Sequence, residues 1–196
     1  MSYERRLLSE LQEFLQGHPV AARWVEFDAG GRSLAERRQF ERTYGQRLKW
    51  EVLDELMGQG VILSEVKTSS SHSYLNGRIT LVVIGSNQSI GADLEFSQRL
   101  THSKLLNRIL TPGEKSWGLS SLEAWVVKEA SFKSNPKNQG TVLSQYLVTF
   151  WDGQRGQGEM ALPFNGVKGV KGGSLKSSFR RVVLGPWLMG VAVTKA

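Results

Sequence analysis

Ile79-Thr80-Leu81-Val82-Val83-Ile84-Gly85-Ser86-Asn87-Gln88-Ser89-Ile90-Gly91-Ala92-Asp93-Leu94-Glu95 decides how this chain is organised. Ile79 to Ile84 is an apolar, β-branched run of strand length, Gly85-Ser86-Asn87-Gln88 is a turn signal, and Ser89 to Glu95 resumes as a second strand. A helix–strand series precedes residues 86–90 and a similar series follows them. The divide separates residues 1–88 from residues 89–196, and the alternation of elements reads as an α+β (α/β) protein forming one compact unit.

Upstream, Leu7, Leu8, Leu11, Phe14 and Leu15 recur at helical spacing, so residues 3–16 read as a helix that Gly17-His18-Pro19 stops. Val20 to Phe27 reads as a strand closed by the turn Asp28-Ala29-Gly30-Gly31. Ser33 and Glu36 stand in capping-box positions for a helix expected to reach Met57, with a break at Gly45. Val61-Ile62-Leu63 is a strand candidate, and Lys67-Thr68-Ser69-Ser70-Ser71-His72-Ser73 is polar and turn-forming. Downstream, residues 101–110 read as helical, and Thr111-Pro112-Gly113-Glu114 opens a turn or helix. Ser121 is the expected cap of a helix from Leu122 to Ser134, which Asn135-Pro136 ends. Leu143 to Trp151, Val182 to Leu184 and Leu188 to Val193 read as strands. Asp152-Gly153 is a turn, and the glycine-rich residues 153–173 belong to hairpins.

The chain has 196 residues, 40% of them hydrophobic, with six tryptophans and eight phenylalanines, which suits a packed core and excludes a disordered chain. It contains no cysteine, so disulfides, thiolate metal sites and cysteine nucleophiles are all excluded. The N-terminal residues lead into an amphipathic segment with no secretory signal, and no apolar run is long enough for a membrane span. A soluble, cytoplasmic protein is expected. Net charge is +7 at neutral pH, which attracts polyanions such as nucleotides, nucleic acid, anionic lipid or an acidic protein, or only keeps the surface soluble.

Asp93 and Glu95 are i and i+2 on a strand, so their carboxylates share one face. Two such charges repel unless a cation lies between them, and hard oxygen ligands suit magnesium, which also takes phosphate oxygens. The bland alternative is an exposed strand face. Trp125, Glu129 and Lys133 share one face of the 122–134 helix at i, i+4 and i+8. A carboxylate on an aromatic-flanked stripe is costly to bury without a partner, and an exposed Glu129–Lys133 pair is the alternative. Ser71-His72-Ser73 can donate hydrogen bonds to phosphate or can be plain loop. It makes a poor nucleophile–base dyad, because neighbours in an extended segment point apart. Arg37, Arg38, Arg42 and Arg47 solvate a helix or clamp an extra phosphate. Gly166, Gly169, Gly172 and Gly173 with Lys168 and Lys171 match a phosphate loop only in composition.

Three blocks, Ser71-His72-Ser73, Gly91-Ala92-Asp93-Leu94-Glu95 and Trp125-Val126-Val127-Lys128-Glu129-Ala130-Ser131-Phe132-Lys133, together resemble the 4′-phosphopantetheinyl transferases. The resemblance covers residues 33 to 134, and the last block is its most specific part. It implies two similar halves in one chain, each a small, mainly antiparallel sheet packed by a long helix, related by a pseudo-twofold, and acting as a monomer. It implies transfer of the phosphopantetheine arm of coenzyme A to a serine of an acidic apo acyl or peptidyl carrier protein, with release of 3′,5′-ADP. Asp93, Glu95 and Glu129 would hold Mg2+ in the C-terminal half, with Glu129 and Lys133 catalytic. Ser71, His72, Arg38, Arg42, Lys128 and Lys133 would hold coenzyme A, and Glu114 resembles a glutamate near the site. Neither nucleic acid nor membrane is an expected partner.

The chain also departs from that pattern. Ala92 replaces a branched residue, Val126 stands where a small hydroxyl residue is common, and Ser134-Asn135-Pro136-Lys137 replaces a glycine-rich continuation. A magnesium-dependent exonuclease also carries D-x-E on a strand, but it needs later His and Asp ligands. Here the last histidine is His102, and Asp152 is the only later aspartate. A basic nucleic-acid-binding module accounts for the charge and leaves Glu129 without a role.

Overall fold

The structure, a computed structural model, describes residues 2–98, 109–136, 138, 141–161 and 174–195. The helix expected over 101–110 and the glycine-rich residues 162–173 lie almost wholly outside them. The elements in chain order are α1 (Tyr3–Leu15), β1 (Val20–Asp28), α2 (Leu34–Gly58), a 3-10 turn (Leu63–Glu65), β2 (Lys67–Leu75), β3 (Arg78–Ser86) and β4 (Ser89–Phe96). They continue with α3 (Pro112–Ser116), α4 (Ser121–Ser134), a second 3-10 turn (Leu143–Gln145), β5 (Tyr146–Trp151), β6 (Arg155–Ala161), β7 (Ser174–Leu184) and β8 (Trp187–Lys195). The fold is α+β. It has a three-stranded sheet in the order β1-β3-β2 and a five-stranded sheet in the order β4-β8-β7-β6-β5, and every pairing is antiparallel.

The two sheets share a topology. In β1-α2-β2-β3 the first strand pairs with the last. If the β5–β6 hairpin is set aside, β4-α4-β7-β8 repeats that order. β3 is the centre of its sheet and is buried on both faces, which is why it reads as a continuous apolar run instead of an alternating one. Leu81 and Val83 pack with Leu48, Val52 and Leu56 of α2. Val82 and Ile84 face the other way, into a core that takes Leu7 and Leu11 from α1 and Ile90, Ala92 and Leu94 from β4. That core spans both sheets. A third cluster packs Val126, Val127 and Ala130 of α4 on Val148, Phe179, Leu188 and Ala192. So α1 covers the shared side, while α2 and α4 cover the far sides of the first and second sheets.

Local expectations are corrected in five places, one of them at Leu143–Gln145, a 3-10 turn where strand was expected, so that β5 starts only at Tyr146. α2 runs unbroken through Gly45, which lies against Leu81. Val61 to Leu63 is no strand, and a 3-10 turn begins at Leu63. Lys67 to Ser73 is strand β2, joined to β3 by the Asn76-Gly77 turn, where both residues have positive φ, as a tight hairpin needs. The cap of α4 is Ser120, whose hydroxyl accepts from Glu123 N while Glu123 accepts from Ser120 N in a capping box. Among the described residues, no helix is long and apolar enough to cross a membrane.

Candidate active site at the seam between the sheets

β2 and β4 are edge strands of different sheets lying side by side. A buried sheet edge leaves backbone N–H groups without partners, which is costly. A stripe of small hydroxyl residues on β2 removes that cost. Ser69 Oγ accepts from Ala92 N at 3.0 Å, and Ser71 Oγ accepts from Leu94 N at 3.0 Å. The same side chains reach the acids of β4. Ser71 Oγ donates to Asp93 Oδ1 at 3.0 Å, and Ser73 Oγ donates to Glu95 Oε2 at 3.3 Å. All three serines are buried, as are Asp93 and Glu95.

α4 supplies the rest. Gly91 lets the helix lie directly on β4, and one turn further along Lys133 Nζ donates to Asp93 Oδ1 at 2.7 Å and lies 3.5 Å from Ser71 Oγ. Glu129, half-buried on the same helix face, is pushed above the usual carboxylate range. Burial is the main cause, the Asp93 charge adds to it, Lys133 opposes it, and Glu95 raises it further. Three carboxylates therefore sense one another at the seam, with Lys133 as the opposing charge.

Among the described residues, no group of three or more His, Asp or Glu side chains is drawn together closely enough to hold a metal ion as placed. The donor set nonetheless fits a hard cation. Asp93 Oδ2 is buried with no hydrogen-bond partner, an arrangement a carboxylate oxygen does not tolerate cheaply. A divalent ion there would offset the repulsion by Asp93 and Glu95 that raises Glu129.

Other residues singled out in the sequence go elsewhere. Lys128 points inward, 1% exposed, and pairs with the equally buried Glu114 at 2.7 Å while donating to Ile109 O at 2.5 Å. Glu114 also accepts from Thr111 N and Val148 N, so this pair ties α4 to the start of α3 and to β5. Lys128 does not face the seam. His72 projects from the opposite face of β2 to Ser71. It is exposed, with Nε2 3.7 Å from Glu41 Oε2 of α2. Arg38 and Arg42 are exposed on α2, where Arg42 donates to Gln39 Oε1 at 3.0 Å, and Arg37 lies over the Tyr74 ring at 4.9 Å. The structure thus gathers Ser71, Asp93, Glu95, Glu129 and Lys133. It sets His72, Arg38 and Arg42 on an outer surface and Lys128 in the core. Ser73 joins the gathered set without having been singled out individually, although its period-two spacing from Ser71 signalled a shared face.

No family model matches this chain, and no curated protein matches it.

Proposed function

We propose that this chain is a magnesium-dependent transferase that moves the 4′-phosphopantetheine arm of coenzyme A onto a serine of an acidic apo carrier protein, releasing 3′,5′-ADP. The observation that carries the reading is the junction at which Ser71 and Lys133 both grip Asp93 Oδ1, leaving the buried Oδ2 without a partner and Glu129 beside it. Each of the three sequence blocks that resemble the transferases supplies at least one residue to that junction. Asp93, Glu95 and Glu129 would hold the Mg2+, which supplies neutralisation of the pyrophosphate charge when bound.

The chain's own residues account for the remaining chemistry. The carrier serine oxygen bonds to the β-phosphorus of coenzyme A, and the bond from that phosphorus to the bridging oxygen of the 3′,5′-ADP breaks. The serine proton passes, through water, to a Glu129 carboxylate oxygen. Lys133, held in place by Asp93, offsets the charge that develops on the departing phosphate. Exposed Arg38, Arg42 and His72 provide cationic and hydrogen-bonding groups for the nucleotide end of coenzyme A. The +7 charge favours an acidic partner, and a monomer working in the cytosol fits the reading.

The test is mass spectrometry of an apo carrier protein after incubation with coenzyme A, Mg2+ and this chain. A gain of one phosphopantetheine arm is expected, lost with Glu129→Gln and with Asp93→Asn while circular dichroism stays parental. No gain on any of several acyl and peptidyl carriers overturns the reading.

A further inference from the structure

Resting on that reading, we infer that Ser71 and Ser73 are positioning residues that aim the acids of β4 at the cation, and that Ser71 is no ligand of coenzyme A phosphate. The seam therefore makes metal affinity in the second sheet depend on side chains of the first.

A serine hydroxyl has one proton and two lone pairs. Ser71 spends its proton on Asp93 Oδ1 and takes the Leu94 N–H on a lone pair, both at 3.0 Å, with Lys133 Nζ on its remaining side at 3.5 Å. The residue is only 6% exposed. A phosphate oxygen needs a donor, and Ser71 can supply one only by letting go of Asp93. Ser71 ties Oδ1 to the edge of β2, which limits rotation of the carboxylate and keeps Oδ2 aimed at one point. Ser73 orients Glu95 in the same way, through its Oε2. Metal-binding acids depend on outer hydrogen bonds of this kind for their direction.

Ser69 separates positioning from mere seam packing. It accepts the Ala92 N–H just as Ser71 accepts the Leu94 N–H, it is similarly buried, and the bond it makes involves no carboxylate. If the hydroxyls only close the edge of β4, alanine at 69 and at 71 will do the same harm.

The experiment is calorimetric titration of the full chain with Mg2+ alone, and of Ser69→Ala, Ser71→Ala and Ser73→Ala, with KM for coenzyme A measured at saturating metal. Ser71→Ala is expected to weaken Mg2+ binding by about tenfold or more, with Ser73→Ala in the same direction. Ser69→Ala should stay near the parent, and KM for coenzyme A should be unchanged in Ser71→Ala. Parental Mg2+ affinity in Ser71→Ala with a raised KM for coenzyme A overturns the inference and leaves the transferase reading standing. Equal losses in Ser69→Ala and Ser71→Ala also overturn it. A parent chain that binds no Mg2+ in the absence of coenzyme A overturns the inference and leaves the carrier-modification test to decide the transferase reading. Should Ser71→Ala fail to fold, Ser73→Ala decides the same question through Glu95.

Discussion

A Cβ placed on Gly91 would lie 2.0 Å from the Ala130 carbonyl oxygen, so β4 and α4 touch backbone to backbone at this point. The next atoms it would meet are Ser134 N at 2.5 Å and the Lys133 carbonyl carbon at 3.0 Å. All three are backbone, and none can swing aside. This contact sets the height of α4 over β4, and with it the reach of Glu129 and Lys133 towards Asp93. Gly91→Ala is therefore expected to lift the helix and to cost about 1–3 kcal/mol or more of stability. Urea unfolding would show the loss, and Mg2+ binding would fall with it. A Gly91→Ala chain of parental stability and metal affinity would mean that α4 is not seated on β4 in this way.

Lys128 and Glu114 form a buried pair in which each ion depends on the other. Burial lowers the proton affinity of Lys128, and Glu114 works against that. Breaking such a pair from one side leaves a buried charge unpaired, and Lys128→Met is expected to cost about 3–5 kcal/mol. Glu114→Gln should hurt at least as much, because Thr111 N and Val148 N donate to different carboxylate oxygens, a single amide oxygen can keep only one of them, and Lys128 is left facing no countercharge. Thermal unfolding of both variants checks the order. A mild effect of Lys128→Met would return that lysine to the candidates for touching substrate.

Glu129 makes stability depend on pH in a particular direction. Its folded-state pKa is raised, mainly by burial and then by the Asp93 charge, so the folded chain keeps a proton that the unfolded chain has already lost. Stability contributed by the protonated acid is complete below the ordinary carboxylate value and is lost as pH rises through the raised value. In a chelator, Glu129→Gln should flatten this fall and should melt above the parent at neutral pH. Added Mg2+ should raise the melting temperature of the parent and not that of the variant, since only binding to the folded form stabilises it. Melting curves across pH, with and without Mg2+, measure both effects. An unchanged pH slope in Glu129→Gln would remove Glu129 from the carboxylate cluster.

Much of this architecture was legible because it follows from short periods. The unbroken apolar run of β3 marks a strand buried on both faces, and the Ser33–Glu36 capping box starts α2 as its spacing requires. The i, i+2 period puts Asp93 beside Glu95, and the i, i+4 period puts Glu129 beside Lys133. What was not legible depends on partners distant in sequence. Packing against Leu81 carries α2 through Gly45 despite glycine's poor helix propensity. β2 lacks the apolar alternation of a half-buried strand, because its inward positions are serines that bond β4 instead of filling a core. The direction of Lys128 could be separated from that of Glu129 by helix geometry alone, but its commitment to Glu114 needs the tertiary fold. At the start of α4, two adjacent serines compete for one cap, and Glu123 fits the third-residue position only for Ser120. Ser120→Ala should therefore cost about 1 kcal/mol, and Ser121→Ala much less, by denaturant midpoint.

Lys133 separates metal binding from transfer most sharply. Its ammonium bonds Asp93 Oδ1 at 2.7 Å and is the charge that opposes the raised pKa of Glu129. A cation approaching Asp93, Glu95 and Glu129 competes with that ammonium, because a positive charge this close repels another. Lys133→Met removes that ammonium from Asp93 and Glu129. Bare Mg2+ should then bind at least as tightly as to the parent in calorimetric titration. Transfer to the carrier should nevertheless fall by about a hundredfold, since the departing phosphate loses a charge placed to receive it. Lys133→Arg should keep the parental metal affinity and recover part of the rate. A Lys133→Met chain that loses Mg2+ binding would show that the lysine holds Asp93 in place for the metal, and one that transfers at the parental rate would take Lys133 out of the chemistry.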